Sequence, residues 1–350
     1  MIRGMLALAG AVALSGCGML GSEPDQELDD LITGVHYVGV SVPDIEASAS
    51  FYESAFDVER MGADDLEFEQ IPESLKPSGA QAVSSLLLRS ANAQIRLMEF
   101  AGDAYSAPSG VVAVPVEGPG IMHVCFQAIE EVNAYAHALQ AGAATIGNPE
   151  PVALSSRNPV KYGYITDPNG IVTEVEEVDI SQLDLPEPPK NAIRLRHVAF
   201  ATPDLERMVS FWSAFLGGQE PRRIGSWFAI SGENVDAVSG LPGSEIEMAW
   251  FQLRNLEIEI AQYHSHQTSL PAQPRPFDAP GYNIVVFDVA DLDAARERLL
   301  SAGGSVVGTS SSLDGASIIF GRDPDGNLIG LQSLPQSSIY SAKNFADQGI

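Results

Sequence analysis

Four stretches of the chain repeat one pattern of apolar and polar positions, and they begin at Tyr37, His123, His197 and Ile284. Each opens with alternating apolar residues, which predicts a strand with one buried face. Each then passes through an acidic or Pro-Asp turn into a segment whose apolar residues recur with helical spacing. In the third stretch this spacing is carried by Leu205, Met208, Val209, Trp212, Phe215 and Leu216. The pattern predicts four modules, each made of a strand, a helix and further strands.

The modules are related in pairs along the chain. The first and third stretches begin 160 residues apart (197 − 37), and the second and fourth begin 161 apart (284 − 123). The second and fourth modules also share an Asp-Pro turn, at 167–170 and at 323–326, of a kind that suits a tight connection between strands. The chain is therefore predicted to be a tandem duplication of a two-module unit.

The duplication sets the predicted boundaries. The first half is 34–178, with modules at 34–100 and 120–178, and the second half is 193–334, with modules at 193–263 and 281–334. A Pro-rich polar linker at 179–192 joins the halves, and a tail at 335–350 follows them.

The N-terminus has the features of an export signal, predicted at residues 1–16. Arg3 is its only charged residue, and the apolar run that follows is too short to span a bilayer. The segment Leu-Ser-Gly-Cys that ends at Cys17 resembles the lipobox of bacterial lipoproteins, in which the cysteine thiol carries a diacylglycerol. Residues 17–33 would then be a polar tether. Since Gly18 follows the cysteine, the resemblance implies the periplasmic side of the outer membrane; an ordinary signal peptide is the alternative.

The composition limits the possible partners. The chain has 350 residues, 45% of them hydrophobic, and a formal net charge of −27. It is long enough for about two compact domains, and its acidic surface makes nucleic acid an unsuitable partner. Its two cysteines, Cys17 and Cys125, cannot form a disulfide framework, and Cys125 is expected to be a small buried apolar residue.

Three motifs together resemble the vicinal oxygen chelate superfamily, which includes glyoxalases, bleomycin-resistance proteins and extradiol dioxygenases. These are the opening strand that ends in Val-Pro-Asp or Thr-Pro-Asp, the helix with Phe-Tyr or Phe-Trp, and the Asp-Pro-Asp-Gly-Asn hairpin, and they extend over about residues 34–334. The resemblance implies an α+β fold in which four βαβββ modules form two half-open, cup-shaped sheets. It also implies a divalent metal in a cup.

The resemblance places one histidine and one glutamate position in each module. The inner modules keep both ligands: His123 with Glu174, and His197 with Glu259. The outer modules keep neither: the matching residues are Tyr37 with Arg96, and Ile284 with Gly330. Two imidazoles and two carboxylates would suit Zn, Ni, Mn or Fe.

The way in which the modules pair decides whether these ligands meet. If module two pairs with module three, as in tandem-fused glyoxalase I enzymes, all four ligands lie in one cup. This arrangement is favoured because the inner modules keep both ligands and the outer modules keep neither. If the modules pair sequentially, each cup holds half a set. His36 could then join His123 and Glu174 in a triad of the extradiol dioxygenase type, with Tyr164 at the position of a catalytic tyrosine. Each of these side chains could also be an ordinary strand residue.

The implied function is a metal-dependent lyase, isomerase or epimerase that acts on a small oxygenated metabolite. Glu174 is the candidate base for proton transfer next to a carbonyl, and Glu259 is its partner. Because export separates the protein from cytoplasmic glutathione, lactoylglutathione is not the expected substrate. The alternatives are a metal-free binding protein of the bleomycin-resistance type, an extradiol-type dioxygenase and a cell-envelope scaffold. Substrate, metal and oligomeric state are not specified by the sequence.

Overall fold

The computed structural model describes residues 29–61, 66–183, 189–313 and 315–345. The predicted export signal and the lipidation site at Cys17 lie outside these ranges. No helix in the described part of the chain is long and apolar enough to cross a membrane.

The four modules follow the predicted order of elements. Module one contains β1 (Ile32–Ser41), α1 (Ile45–Phe56), β2 (Glu59–Met61), β3 (Ala82–Arg89) and β4 (Gln94–Ala101). Module two contains β5 (Gly120–Ile129), α2 (Ala134–Gln140), β6 (Ala144–Ile146), β7 (Val152–Ala153), β8 (Val160–Thr166) and β9 (Val172–Val178). Module three contains β10 (Ile193–Ala201), α3 (Leu205–Phe215), β11 (Arg222–Ile224), β12 (Ile230–Ser231), α4 (Glu233–Ser239), β13 (Glu245–Gln252) and β14 (Glu257–Tyr263). Module four contains β15 (Gly281–Val289), α5 (Leu292–Ser301), β16 (Ser305–Leu313), β17 (Ala316–Arg322) and β18 (Leu328–Gln332). Short 3-10 turns lie at Phe68–Gln70, Glu73–Leu75, Glu130–Val132, Ile180–Gln182 and Ala342–Asn344.

The acidic residues of the predicted turns begin three of the helices. The side chains of Asp44, Asp204 and Asp291 each accept a hydrogen bond from the third following backbone N–H, which caps α1, α3 and α5. In module two the corresponding turn ends at Asn133, which has a positive φ of 54° and makes no side-chain cap. Its helix, α2, has only 7 residues.

Two large sheets each combine two modules: the second with the third, and the first with the fourth. The ten-stranded sheet has the order β11-β13-β14-β10-β5-β9-β8-β6, with β12 also paired to β13 and β7 also paired to β8. The eight-stranded sheet has the order β16-β17-β18-β15-β1-β4-β3-β2. At their centres β5 pairs antiparallel with β10, and β1 pairs antiparallel with β15. Each sheet thus takes one module from 34–178 and one from 193–334, so neither half closes a sheet by itself. This is the inner pairing that the ligand pattern favours, and the α+β fold is confirmed.

The helices form a layer that both sheets share. The ring of Trp212 in α3 lies 5.2 Å from that of Phe200 in the ten-stranded sheet and 5.8 Å from that of Phe287 in the eight-stranded sheet. Phe56 in α1 stacks on Phe126 in β5, with ring centroids 4.0 Å apart. One continuous apolar core therefore lies between the sheets, and the opposite face of each sheet is left for a cup.

A β-bulge precedes the ligand position in both central strand pairs. Pairing shifts between Leu195 and His197 in β10, and equally between Val35 and Tyr37 in β1. Arg196 and His36 are the extra residues. A bulge redirects a side chain, and Arg196 accordingly lines the same cup as the ligand positions that follow it.

Candidate metal centre

The ligand positions of the inner modules lie on four adjacent strands of the ten-stranded sheet. On one side Glu174 in β9 lies opposite Cys125 in β5, and Cys125 lies opposite His197 in β10. On the other side Glu259 in β14 lies opposite Ala199 in β10, and Ala199 lies opposite His123 in β5. The two rows are related by the approximate two-fold symmetry of the duplicated chain. Each half therefore contributes one histidine and one glutamate to the centre of the same cup.

The donor atoms of these four side chains converge. Nε2 of His123 lies 3.2 Å from Nε2 of His197. Oε2 of Glu174 lies 3.0 Å from Nε2 of His197 and 3.4 Å from Nε2 of His123, and Oε2 of Glu259 lies 3.4 Å from Nε2 of His197. Ligands about 2.1 Å from a metal are about 3.0 Å apart in a right-angled arrangement and about 3.4 Å apart in a tetrahedral one. The spacing therefore fits a single divalent ion.

The electrostatics of the cluster also call for a cation. Burial raises the pKa of Glu174, but hydrogen bonds from His123 and His197 outweigh it and hold the pKa below its usual range. Burial lowers the pKa of His197, whereas the charge of Glu259 and the hydrogen bond with Glu174 raise it, and the net shift is upward. A proton on His197 thus compensates the buried carboxylates. A divalent ion would take the place of that proton.

The two carboxylates are held differently. Trp250, directly opposite Glu259 on β13, donates its indole N–H to Oε2 of Glu259 at 2.7 Å. The residue opposite Glu174 is Tyr164, whose ring lies 5.0 Å from that of His123. In the described part of the chain, Glu174 makes polar contacts with the two histidines and receives no hydrogen bond equivalent to that of Trp250. Glu259 is therefore the anchored ligand, and Glu174 is the more available base.

A buried ionic network supports one wall of the cup. Arg196 donates to Glu176 at 2.6 Å and to Glu257 at 3.2 Å. Arg222 donates to Glu257 at 3.1 Å, and its guanidinium lies 4.3 Å from the ring centre of Trp250. The sequence analysis missed this network. The available signal was strand alternation, since Glu176 and Glu257 lie two residues from Glu174 and Glu259 and therefore face the same side.

Cys125 is a further side chain of the site. A potential ligand atom of Cys125 lies within 4.8 Å of those of Glu174, Glu176 and His197. Burial, followed by the charges of Glu176 and Glu174, raises the pKa of the thiol well above its usual value. Because the thiolate is the form that binds metals, a protonated Cys125 is a weak ligand and forms part of the cup floor.

A cavity opens from the metal centre towards the solvent. It has a volume of about 70 Å³, and Glu174 and Glu259 are among the residues that line it. Apolar side chains dominate the walls, and Arg196 and Arg222 line one side.

The cup of the eight-stranded sheet is filled instead. Tyr37 and Ile284 are buried there in an apolar cluster with Leu87, Met98, Phe100, Val286, Ile318 and Phe320. The guanidinium of Arg96 lies 4.7 Å from the ring centre of Tyr37. A Cβ atom at Gly330 would lie 2.7 Å from Cγ2 of Val286, so a glutamate there would need the cup to repack. The outer cup has become core.

His36 belongs to this outer cup. Its Nδ1 lies 3.0 Å from Oε1 of Gln332 in β18. Since His123 and Glu174 are on the other sheet, the structure does not bring His36 together with them, and the sequential triad considered above is not formed.

Fold and site together define a class of tandem, cup-shaped proteins in which a buried His/Glu cluster could hold a metal ion. The chain belongs to the Glyoxalase/Bleomycin resistance protein/Dioxygenase superfamily, whose family model matches residues 34–175 and 194–331.

Three known proteins illustrate the similarity. An ethylmalonyl-CoA/methylmalonyl-CoA epimerase of Cereibacter sphaeroides is 28% identical over 148 residues, which are 42% of this chain and 100% of that protein. The crystal structure of glyoxalase I from Zea mays is 17% identical, with a TM-score of 0.56, over 86% of this chain and 92% of that one. A putative dioxygenase from Bacillus subtilis is 11% identical, with a TM-score of 0.57, over 91% of each chain. The two structural similarities support the fold alone.

Proposed function

We propose that this chain is a divalent-metal-dependent isomerase, epimerase or lyase that moves a proton on the carbon next to a carbonyl of a small oxygenated metabolite. The observation that carries the proposal is the convergence of His123, Glu174, His197 and Glu259 at the floor of an open cavity. The partial similarity to an epimerase supports a proton transfer. The metal can be Zn, Ni, Mn or Fe, since each accepts imidazole and carboxylate ligands.

The side chains of the cup have different roles in this proposal. A divalent ion, when bound, supplies a Lewis acid for the vicinal oxygens of the substrate. His123 and His197 hold the centre from the two middle strands. Glu259, fixed by Trp250, is a permanent ligand. Glu174 takes the proton next to the carbonyl and returns it, as a general base within reach of the substrate, while the apolar walls keep water away from the exchanging carbon.

Two measurements test the proposal. The first is the metal content of the purified protein, for which about one divalent ion per chain is expected. The second is the exchange of α-protons for deuterium, followed by NMR in D₂O, across a panel of 2-oxo acids, 2-hydroxy ketones and acyl thioesters. Glu174→Gln should abolish exchange by at least about 100-fold while much of the metal stays bound. A protein that takes up no divalent metal, or a Glu174→Gln variant that exchanges as fast as the wild type, would contradict the proposal.

A metal-free binding protein is the second candidate. The mainly apolar lining of the cavity favours it, because sequestration needs a cavity but no metal. The metal content separates the two functions. The extradiol alternative relied on His36 as a ligand, and we do not propose it.

We also propose that the protein is exported. The lipobox-like segment that ends at Cys17 supports a lipoprotein on the periplasmic side of the outer membrane.

A further inference from the structure

The two cups differ in the segment that follows the short strand after the first helix, which is β2 in module one and β11 in module three. In module one the residues that follow β2 insert Leu66, Ile71 and Leu75 into the apolar cluster of the outer cup. In module three the corresponding segment forms β12 and α4. Its side chains line the inner cup without filling it. The inner cup is therefore an apolar cavity, built by the same kind of insertion that closes the other cup.

The walls of this cavity select for apolar groups. Ile224, Ile230, Val235, Ile246 and Met248 line it on the side of module three. Ile246 and Met248 lie on β13 four and two residues before Trp250, the residue opposite Glu259. A ligand body that lies against them gains about 25 cal/mol for each Å² of apolar surface removed from water.

The cationic side chains of the wall do not offer a second charged subsite. In the cavity lining that the structure describes, the arginines are Arg196 and Arg222. Arg196 is paired with Glu176 and Glu257, and Arg222 is paired with Glu257. A phosphate or carboxylate at the far end of a substrate would have to break these buried pairs, which costs several kcal/mol in general.

Two exposed aromatic side chains lie on a loop that connects two residues of the cavity lining. Trp227 and Phe228 are 91% and 81% exposed. They lie on the loop that joins Ile224 to Ile230, and both of these residues line the cavity. Gly225 begins this loop with a φ of +87°, and a Cβ there would lie 2.8 Å from the backbone oxygen of Ile246. A large exposed aromatic pair on a loop that flanks an apolar cavity marks a contact surface.

We propose that the substrate is an amphiphile, with a vicinal-oxygen head at the metal centre and an uncharged alkyl or aryl body. The body lies along the wall formed by α4 and β13 and leaves the cavity beside Trp227 and Phe228. This inference rests on the proposed function for the head group. It excludes substrates whose remaining part is strongly anionic.

Hydroxamic acids test the inference directly, because their two oxygens chelate a divalent metal whatever their tail. Isothermal titration of the zinc-loaded full chain is carried out with acetohydroxamic, octanohydroxamic and benzohydroxamic acids, and with succinic monohydroxamate, which carries a charged tail. Each buried methylene should tighten binding about fourfold, from about 0.8 kcal/mol per methylene. Octanohydroxamate should therefore bind at least about 100-fold more tightly than acetohydroxamate, and succinic monohydroxamate no more tightly than acetohydroxamate.

Two sets of substitutions test where the tail of the hydroxamate lies. Replacement of Trp227 and Phe228 together by Ser should weaken octanohydroxamate about tenfold and leave acetohydroxamate unchanged. Ile339→Ser, at another exposed apolar residue, is the matched control and should change neither. If all four probes bind equally, or if the charged tail is preferred, the inference is wrong while the metal centre stands. If no zinc is retained and no probe binds, the proposed function itself fails.

Discussion

Asn92 and Asn255 hydrogen-bond to each other's backbone. The side-chain amide of Asn92 donates to the carbonyl of Asn255, and the amide of Asn255 donates to the carbonyl of Asn92 at 3.0 Å. Asn92 also bonds both backbone groups of Leu195 in β10, and Asn255 bonds both backbone groups of Val35 in β1. Both residues are fully buried. The β3–β4 hairpin of the eight-stranded sheet is thereby joined to β10 of the ten-stranded sheet. The β13–β14 hairpin of the ten-stranded sheet is likewise joined to β1 of the eight-stranded sheet.

This pair predicts a shared contribution to stability. Asn92→Ala or Asn255→Ala should each lower the free energy of unfolding by about 2–4 kcal/mol, because each leaves buried backbone groups unpaired. The double variant should cost less than the sum of the two, since the substitutions remove common hydrogen bonds. Urea unfolding measures all three, and Asn344→Ala, at an exposed asparagine, is the control. Strict additivity would show that the two residues act separately.

Removal of metal should weaken the association of the two halves. Each half supplies one histidine and one glutamate, so a bound ion stabilises the folded chain by about 2.7 kcal/mol at a free metal concentration 100 times its dissociation constant. Treatment with a chelator should therefore lower the melting temperature of the wild type. His123→Ala and His197→Ala should lose most of the bound metal and the chelator effect, whereas His36→Ala, in the outer cup, should retain the metal. Equal metal loss in the His36→Ala variant would argue against the inner site.

Trp250 should strengthen metal binding although it is not itself a ligand. Trp250→Phe removes the donor to Glu259 and keeps most of the aromatic volume, so metal should bind about 10- to 100-fold more weakly. Competition with a chromophoric chelator measures the change. Trp227→Phe, at an exposed tryptophan, should leave affinity unaltered; the prediction fails if the two variants behave alike.

Asp323 makes stability depend on pH. Burial, partly offset by the hydrogen bond from Asn327, raises its pKa to about 7. The carboxyl group therefore stays protonated in the folded chain up to about pH 7, whereas in the unfolded chain it loses its proton at about pH 4. The contribution of Asp323 to the free energy of unfolding consequently falls as the pH rises from about 4 to about 7, and it is constant above pH 7. Asp323→Asn cannot titrate.

The free energy of unfolding of Asp323→Asn, relative to the wild type, should therefore rise by about 2–4 kcal/mol between pH 4 and pH 7. Asp103→Asn, at an exposed aspartate, should show a flat difference over the same range. A flat difference for Asp323→Asn as well would mean that the carboxyl group stays ionised in the folded chain.

Membrane attachment should depend on Cys17 alone. Cys17→Ser should move the protein from the membrane fraction to the soluble fraction, because the predicted lipidated thiol is lost. Cys125→Ser, at the buried cysteine of the cup, should remain in the membrane fraction. Immunoblots of fractionated cells give the result, and a Cys17→Ser variant that stays with the membrane would exclude the lipid anchor.

The repeat made the strands and the ligand positions predictable. Strand alternation is local, and the family resemblance gave the ligand positions; the retention of both ligands in the inner modules favoured a single cup for His123 and His197 but left sequential pairing open. The support of the site could not be predicted in this way. The bond from Trp250 to Glu259 and the pairing of Arg196 depend on which strand lies beside which, and one sequence does not carry that information. The helix α4 lies between β11 and β13, where the corresponding segment of module one forms 3-10 turns instead of a helix, so the repeat did not predict α4.

The crossed pairing of modules has an evolutionary consequence. In a dimer of identical two-module subunits, every substitution would appear in both cups, so the loss of a ligand would empty both sites at once. Here Tyr37 and His197 occupy equivalent positions, yet they are encoded separately within one gene. A tandem chain can therefore pack one cup as apolar core while the other cup holds the four candidate ligands.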